Sequence, residues 1–113
     1  MKLLTETVEK SLPPLYSQED NPDPQVVVKF FNPCGAATWY ITEGNWEGEP
    51  TDGNPGEDYI MFGLCDLGMG YPELGYVSLN ELESVKGPFG LGIERDLHWT
   101  PKPLSILKEK VGA

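Results

Sequence analysis

QVVVKFFNPCGAATWYIT, residues 25–42, sets two β-rich runs on either side of a turn signal. Gln25 to Phe31 is dense in β-branched and aromatic residues, whose side chains pack well on a pleated surface. Lys29, between Val28 and Phe30, gives that strand a face or an edge in water. Asn32-Pro33-Cys34-Gly35 has the composition of a turn, and Ala37 to Thr42 then supplies Thr38, Trp39, Tyr40 and Ile41. Two strands joined so tightly form a hairpin, and a hairpin is antiparallel. The fold is therefore expected to grow from an antiparallel sheet.

C-terminal to this hairpin, Glu43 to Asp58 holds four Gly, two Pro and six acids around one apolar residue, Trp46, and reads as a loop. Tyr59 to Cys65 reads as a third strand, Asp66 to Pro72 as a turn, and Leu74 to Leu79 as a fourth strand. Ser78-Leu79-Asn80-Glu81 fits a capping box, in which a hydroxyl caps the helix and a carboxylate three residues on reaches back. The short helix it opens, with Leu79, Leu82 and Val85 on one face, stops at Gly87-Pro88. Ile93 to Trp99 reads as a fifth strand or an extended edge segment, and Pro103 opens a last helix with Lys108 and Lys110 near its C-terminus. On the N-terminal side, Leu4, Val8 and Leu12 recur at helical spacing, so a helix is expected from Thr5 to about Leu12, where Pro13-Pro14 must end it. Ser17 to Pro24 reads as a surface loop. The expectation is a single α+β domain over residues 1–113, a meander of four to five antiparallel strands with two or three short helices packed on one side.

Composition narrows the chemistry. No stretch approaches the roughly 18 apolar residues of a membrane span, and the start of the chain lacks the apolar core of a secretory leader. Cys34 and Cys65 are too few for a disulfide framework and are expected as free thiols in a cytoplasmic protein. The net charge of −10 is concentrated: residues 30–85 carry ten acids and no Lys, Arg or His. Trp39, Tyr40, Phe30 and Phe31 resemble a base-stacking platform, but no cation beyond Lys29 accompanies them to neutralise phosphates, so direct nucleic-acid binding is disfavoured. Three Cys and His residues without close spacing make no zinc site. The acidic run Asp52 to Asp58 fails the calcium-loop pattern, which needs Gly at its sixth position and Glu at its twelfth, where Glu57 and Gly63 stand. Neither Gly68-Met69-Gly70 nor Gly87 to Gly92 has the strand-to-helix setting of a phosphate cradle. No cofactor and no metal are expected.

Two classes of function remain. One is binding to an unknown protein partner through the acidic half, whose boldest version is a mimic of DNA: carboxylates fixed on a folded face present a phosphate-like field to a basic groove. Its candidate surface is Glu43, Glu47, Glu49, Asp52, Glu57 and Asp58, with Arg95 and Asp96 beyond. The bland reading of the same acids is a solubilising surface. The other class is a small hydrolase or transferase using Asp66, Arg95, Asp96 or His98, which requires those four to gather about one pocket. His98, the sole histidine, otherwise reads as a packed or surface residue.

LPPLYSQED (12–20), VVVKFF (26–31), TWY (38–40) and above all ELGYVSLNELESVKGPFGLGIERDLHW (73–99) resemble the bacterial DUF2958 family, a domain of unknown function. The resemblance implies a small stand-alone protein of plasmids and other mobile elements, near DNA-handling or anti-restriction genes, and transfers no catalytic residue. Residues 43–58 are where the chain looks least typical of the family. Gly87 to Asp96 is the better place for a shared surface, with Arg95 and Asp96 either a recognition pair or a salt bridge that holds a turn.

Overall fold

The computed structural model describes residues 1–112. Helix α1 (Glu6–Ser11) is capped by the Thr5 hydroxyl, which accepts the Val8 N–H at 3.2 Å, and it ends at Leu12 ahead of the two prolines. Among the described residues the strands are β1 (Gln25–Val26), β2 (Val28–Phe31), β3 (Thr38–Glu47), β4 (Asp58–Asp66), β5 (Glu73–Ser78), β6 (Glu94–Arg95) and β7 (Lys102–Pro103). Helices α2 (Leu79–Ser84) and α3 (Leu104–Val111) follow β5 and β7. Five strands form one antiparallel sheet in the order β5-β4-β3-β2-β6, so β2 to β5 are the expected meander, while β1 and β7 pair separately. The fold is α+β.

Three expectations about the strands change in detail. The run from Gln25 to Phe31 is not one strand: it breaks at Val27, with β1 turned to β7 while the Val27 N–H still reaches the Ile41 carbonyl at 2.9 Å. The expected loop 43–58 is shorter, because β3 runs on to Glu47 and β4 starts at Asp58. Glu43, Gly44 and Asn45 are poor strand formers, yet a bulge at Thr42 shifts the register and lets pairing resume at Glu43↔Phe62. Gly44 fits because the Tyr59 ring covers it: a Cβ there would lie 2.4 Å from the ring. The fifth strand contracts to Glu94–Arg95 on the β2 edge.

The helices also do not share one side. Strand alternation sends Val28, Phe30, Ile41, Met61 and Val77 to one face, where they pack with Leu3, Leu4 and Leu12 around α1 and with Leu79 and Leu82 of α2. Tyr40 and Leu64 point to the other face and pack with Val26 and with Leu104 and Leu107 of α3, with Trp99 alongside. Both faces carry apolar residues, so both need a lid. Asp23 tethers the second lid: its carboxylate accepts the Ser105 N–H at 2.8 Å and the Ser105 hydroxyl at 2.7 Å, and that pairing holds its pKa below the ordinary value.

Candidate interaction surface

The end of the β3–β4 hairpin gathers much of the acidity. Thr51 and Asn54 exchange backbone hydrogen bonds at 3.0 and 3.2 Å, Gly53 takes the left-handed conformation (φ +90°), and the Glu57 N–H donates to the Glu47 carbonyl at 2.8 Å. This closed turn exposes Glu47, Glu49, Asp52 and Glu57. The other two acids of the expected set have structural partners. Glu43 is buried, and its carboxylate accepts the Gln18 N–H at 3.0 Å, pinning the N-terminal loop to the sheet. Asp58 accepts from the Ser78 hydroxyl, from the Asn80 N–H at 3.0 Å and from the Tyr59 N–H at 2.7 Å. It thereby orients the Ser78 hydroxyl, which accepts the Glu81 N–H at 3.2 Å as the cap of α2. The hydroxyl half of the expected capping box is present; Asp58, from the neighbouring strand, orients it.

Behind this turn, Trp46 meets the Tyr59 ring edge-on with centroids 5.4 Å apart and donates its indole N–H to Glu9 at 2.6 Å. Burial, with Glu9 as a lesser cause, pushes the Tyr59 phenol up to about 12. Glu6, Glu9 and Glu83 line a cleft of about 390 Å³ beside Gly53–Pro55, with Lys2 as its one cation. The free acids of the turn are thus extended by carboxylates of α1 and α2. Among the described residues no group of carboxylates, Cys or His converges as metal ligands.

The four residues of the enzyme alternative do not gather. Arg95 donates to the carbonyls of Lys2 and Leu3, the second at 3.1 Å, and so fastens the N-terminus to β6. Asp96 turns to Lys29, 3.9 Å away, and its carboxylate accepts the His98 N–H at 2.9 Å. Arg95 and Asp96 both line a shallow groove of about 530 Å³; Asp66 and His98 do not. Asp66 sits at the end of β4, three strands across from β6, and caps the Gly68 N–H at 3.0 Å, while the His98 side chain is exposed. Arg95 and Asp96 serve separate partners, so the expected salt bridge between them is not formed. In the same segment Phe89 stands 98% exposed at φ 60° in the short 3₁₀ turn Pro88–Gly90.

A second exposed region was not anticipated. At the opposite end of β4 the turn 67–72 exposes Leu67, Met69 and Tyr71, and β5 adds Leu74 and Tyr76. These residues continue through Phe62, whose ring lies 5.1 Å from that of Tyr76, to Tyr16 at 6.4 Å. An open cleft of about 410 Å³ lies among Cys65, Leu67, Met69, Tyr71 and Leu74. The Cys65 thiol, half-buried and free, has its pKa raised by burial. The signal was present in the sequence: Met69 and Tyr71 sit among turn residues, too far from any strand or helix period to reach a core.

The family model described as "Protein of unknown function (DUF2958)" matches residues 3–111, nearly the whole chain. No curated protein and no solved structure matches it significantly.

Proposed function

The chain belongs to the DUF2958 family, and on that premise we propose that it is a non-enzymatic accessory protein that binds a basic surface of another protein, in its strongest form as a competitor of duplex DNA. The observation that carries this reading is the β3–β4 turn, where Glu47, Glu49, Asp52 and Glu57 are exposed on a hydrogen-bonded loop with no Lys or Arg between residues 30 and 85. A backbone closed by its own hydrogen bonds fixes the spacing of the positions that carry these carboxylates, so the cost of ordering the loop is met in folding and not in binding. Fixed negative charge also attracts a basic groove over a range set by ionic strength, about 10 Å at 0.1 M salt. A partner that handles DNA fits both features and agrees with a mobile-element setting.

Displacement tests the reading. A fluorescent duplex bound to each of a panel of restriction nucleases and methyltransferases is titrated with the protein at low salt, and anisotropy is followed. The expected outcome is displacement from at least one enzyme, weakening as salt rises. Absence of displacement across the panel at low salt removes the DNA-mimic version.

A further inference from the structure

β5 is an edge of the five-stranded sheet, and its ladder bonds run to β4. In an antiparallel edge strand, alternate residues direct their N–H and C=O groups away from the sheet, a template for another strand. Proteins usually blunt such an edge with lysine, proline or a bulge. ELGYVS has neither lysine nor proline, and its register with β4 is unbroken from Ile60↔Ser78 to Cys65↔Glu73. One face of this open rim is apolar: Leu74 is 45% and Tyr76 58% exposed, with Tyr16 and Phe62 beside them. An open, straight, apolar edge is a hazard unless something occupies it.

We propose that the β5 edge is a docking site for an extended basic segment of another protein, which adds as a further strand and seats alternate apolar side chains over Leu74 and Tyr76. Charge selects this occupant. Exposed Glu73 stands at the start of β5, Glu81 just beyond its end and Glu19 next to Tyr76, with Asp66 half-buried at the foot of β4. The one cation lining the adjoining groove is Lys108, which acts on Asp23. A strand carrying Lys or Arg at alternate positions meets opposite charge at both ends of the rim; a second copy of this chain brings Glu73 and a net charge of −10 against the same carboxylates. The inference rests on the protein-binding reading but uses the β5 edge, which runs alongside β4 from Ile60 to Cys65, and not the acidic turn.

The probes are three synthetic peptides of equal length: alternating Lys and Val, alternating Glu and Val, and the Lys–Val peptide with a central proline. Each is titrated at low salt into the ¹⁵N-labelled full chain, and amide shifts are mapped. The Lys–Val peptide is expected to move the amides of residues 73–78 and the facing Tyr16 region, whereas the Glu–Val and proline peptides leave them unmoved. The double variant Leu74→Lys/Tyr76→Lys should weaken binding about tenfold, through lost cross-strand contacts and added repulsion. Glu73→Lys, at an exposed position that the fold does not use, should weaken it several-fold and covers the case in which the double variant misfolds. Equal binding of the proline peptide, shifts confined to residues 47–57, or no binding would overturn the proposal. So would movement of the β5 amides with protein concentration alone, which would assign the edge to a second copy. Glu49→Gln/Asp52→Asn should leave peptide binding unchanged, so failure here and failure of DNA competition are read separately.

Discussion

Leaving β4 at Asp58, the chain meets a turn of carboxylates closed by its own hydrogen bonds; leaving the same strand at Asp66, it meets a turn that lifts Leu67, Met69 and Tyr71 into water. The nine residues between separate these two surfaces by roughly 27 Å at the usual rise of a strand. Both turns are rich in glycine and proline, and both read from composition as connections. They differ in how their side chains are used. At the acidic end some carboxylates hold the fold and others are free, whereas at the apolar end the exposed side chains have no core to reach. Surface chemistry here follows position on the sheet more than local composition.

The sharpest way to break the comparison lies within the acidic end. Asp58→Ala removes an acceptor from the Ser78 hydroxyl and the Asn80 N–H and should cost about 3 kcal/mol, measured by urea unfolding, because bonds to a charged group are the strong ones. Glu49→Gln, two residues beyond β3, should stay within about 0.5 kcal/mol. Equal effects would mean that the acids do not divide into structural and free sets.

A matched pair of glycines compares the two turns directly. Gly68 (φ +79°) would place a Cβ 2.3 Å from that of Ala36, whereas Gly53 (φ +90°) has open space. Gly68→Ala therefore combines left-handed strain with a clash and should cost about 2 kcal/mol, and Gly53→Ala, with strain alone, about 1 kcal/mol. Thermal unfolding of the two variants gives the ordering.

Tyr59, behind the acidic turn, supplies a pH test. Its phenol is neutral in the fold up to about 12, while an unfolded tyrosine loses its proton near 10.0. Between those values the folded state binds the extra proton, so stability should fall as pH rises through that window and be unaffected below it. Tyr59→Phe should flatten that part of the slope in urea midpoints taken from pH 9 to about 12.

Most of the fold was legible in the sequence because its signals were local. The Ser78 cap, the prolines after Leu12 and the β-branched and aromatic strand cores each act within a few residues, and each lies where expected. What escaped depended on contacts distant in sequence. Glu43-Gly44-Asn45 is a strand only because β4 and the Tyr59 ring hold it there, and Asp58 caps a helix twenty residues away. Three helices on two faces follow from Tyr40 and Leu64 pointing away from Ile41 and Met61, a consequence of register across β3 and β4. The acidic surface was visible as charge, but which acids were free was not, since Glu43 and Glu49 differ only in tertiary partners.

A small expected change in stability accompanies the most telling change in binding. Glu47→Gln, Glu49→Gln, Asp52→Asn and Glu57→Gln, made together, remove four exposed charges and should alter stability by no more than about 1 kcal/mol. The decisive measurement is displacement of duplex DNA by this variant and by the native chain, side by side at low salt, on an enzyme from which the native chain displaces it. The variant should need at least about tenfold more protein, the equivalent of about 1.4 kcal/mol of lost binding. Equal displacement by both would contradict the assignment of the acidic turn as the binding surface.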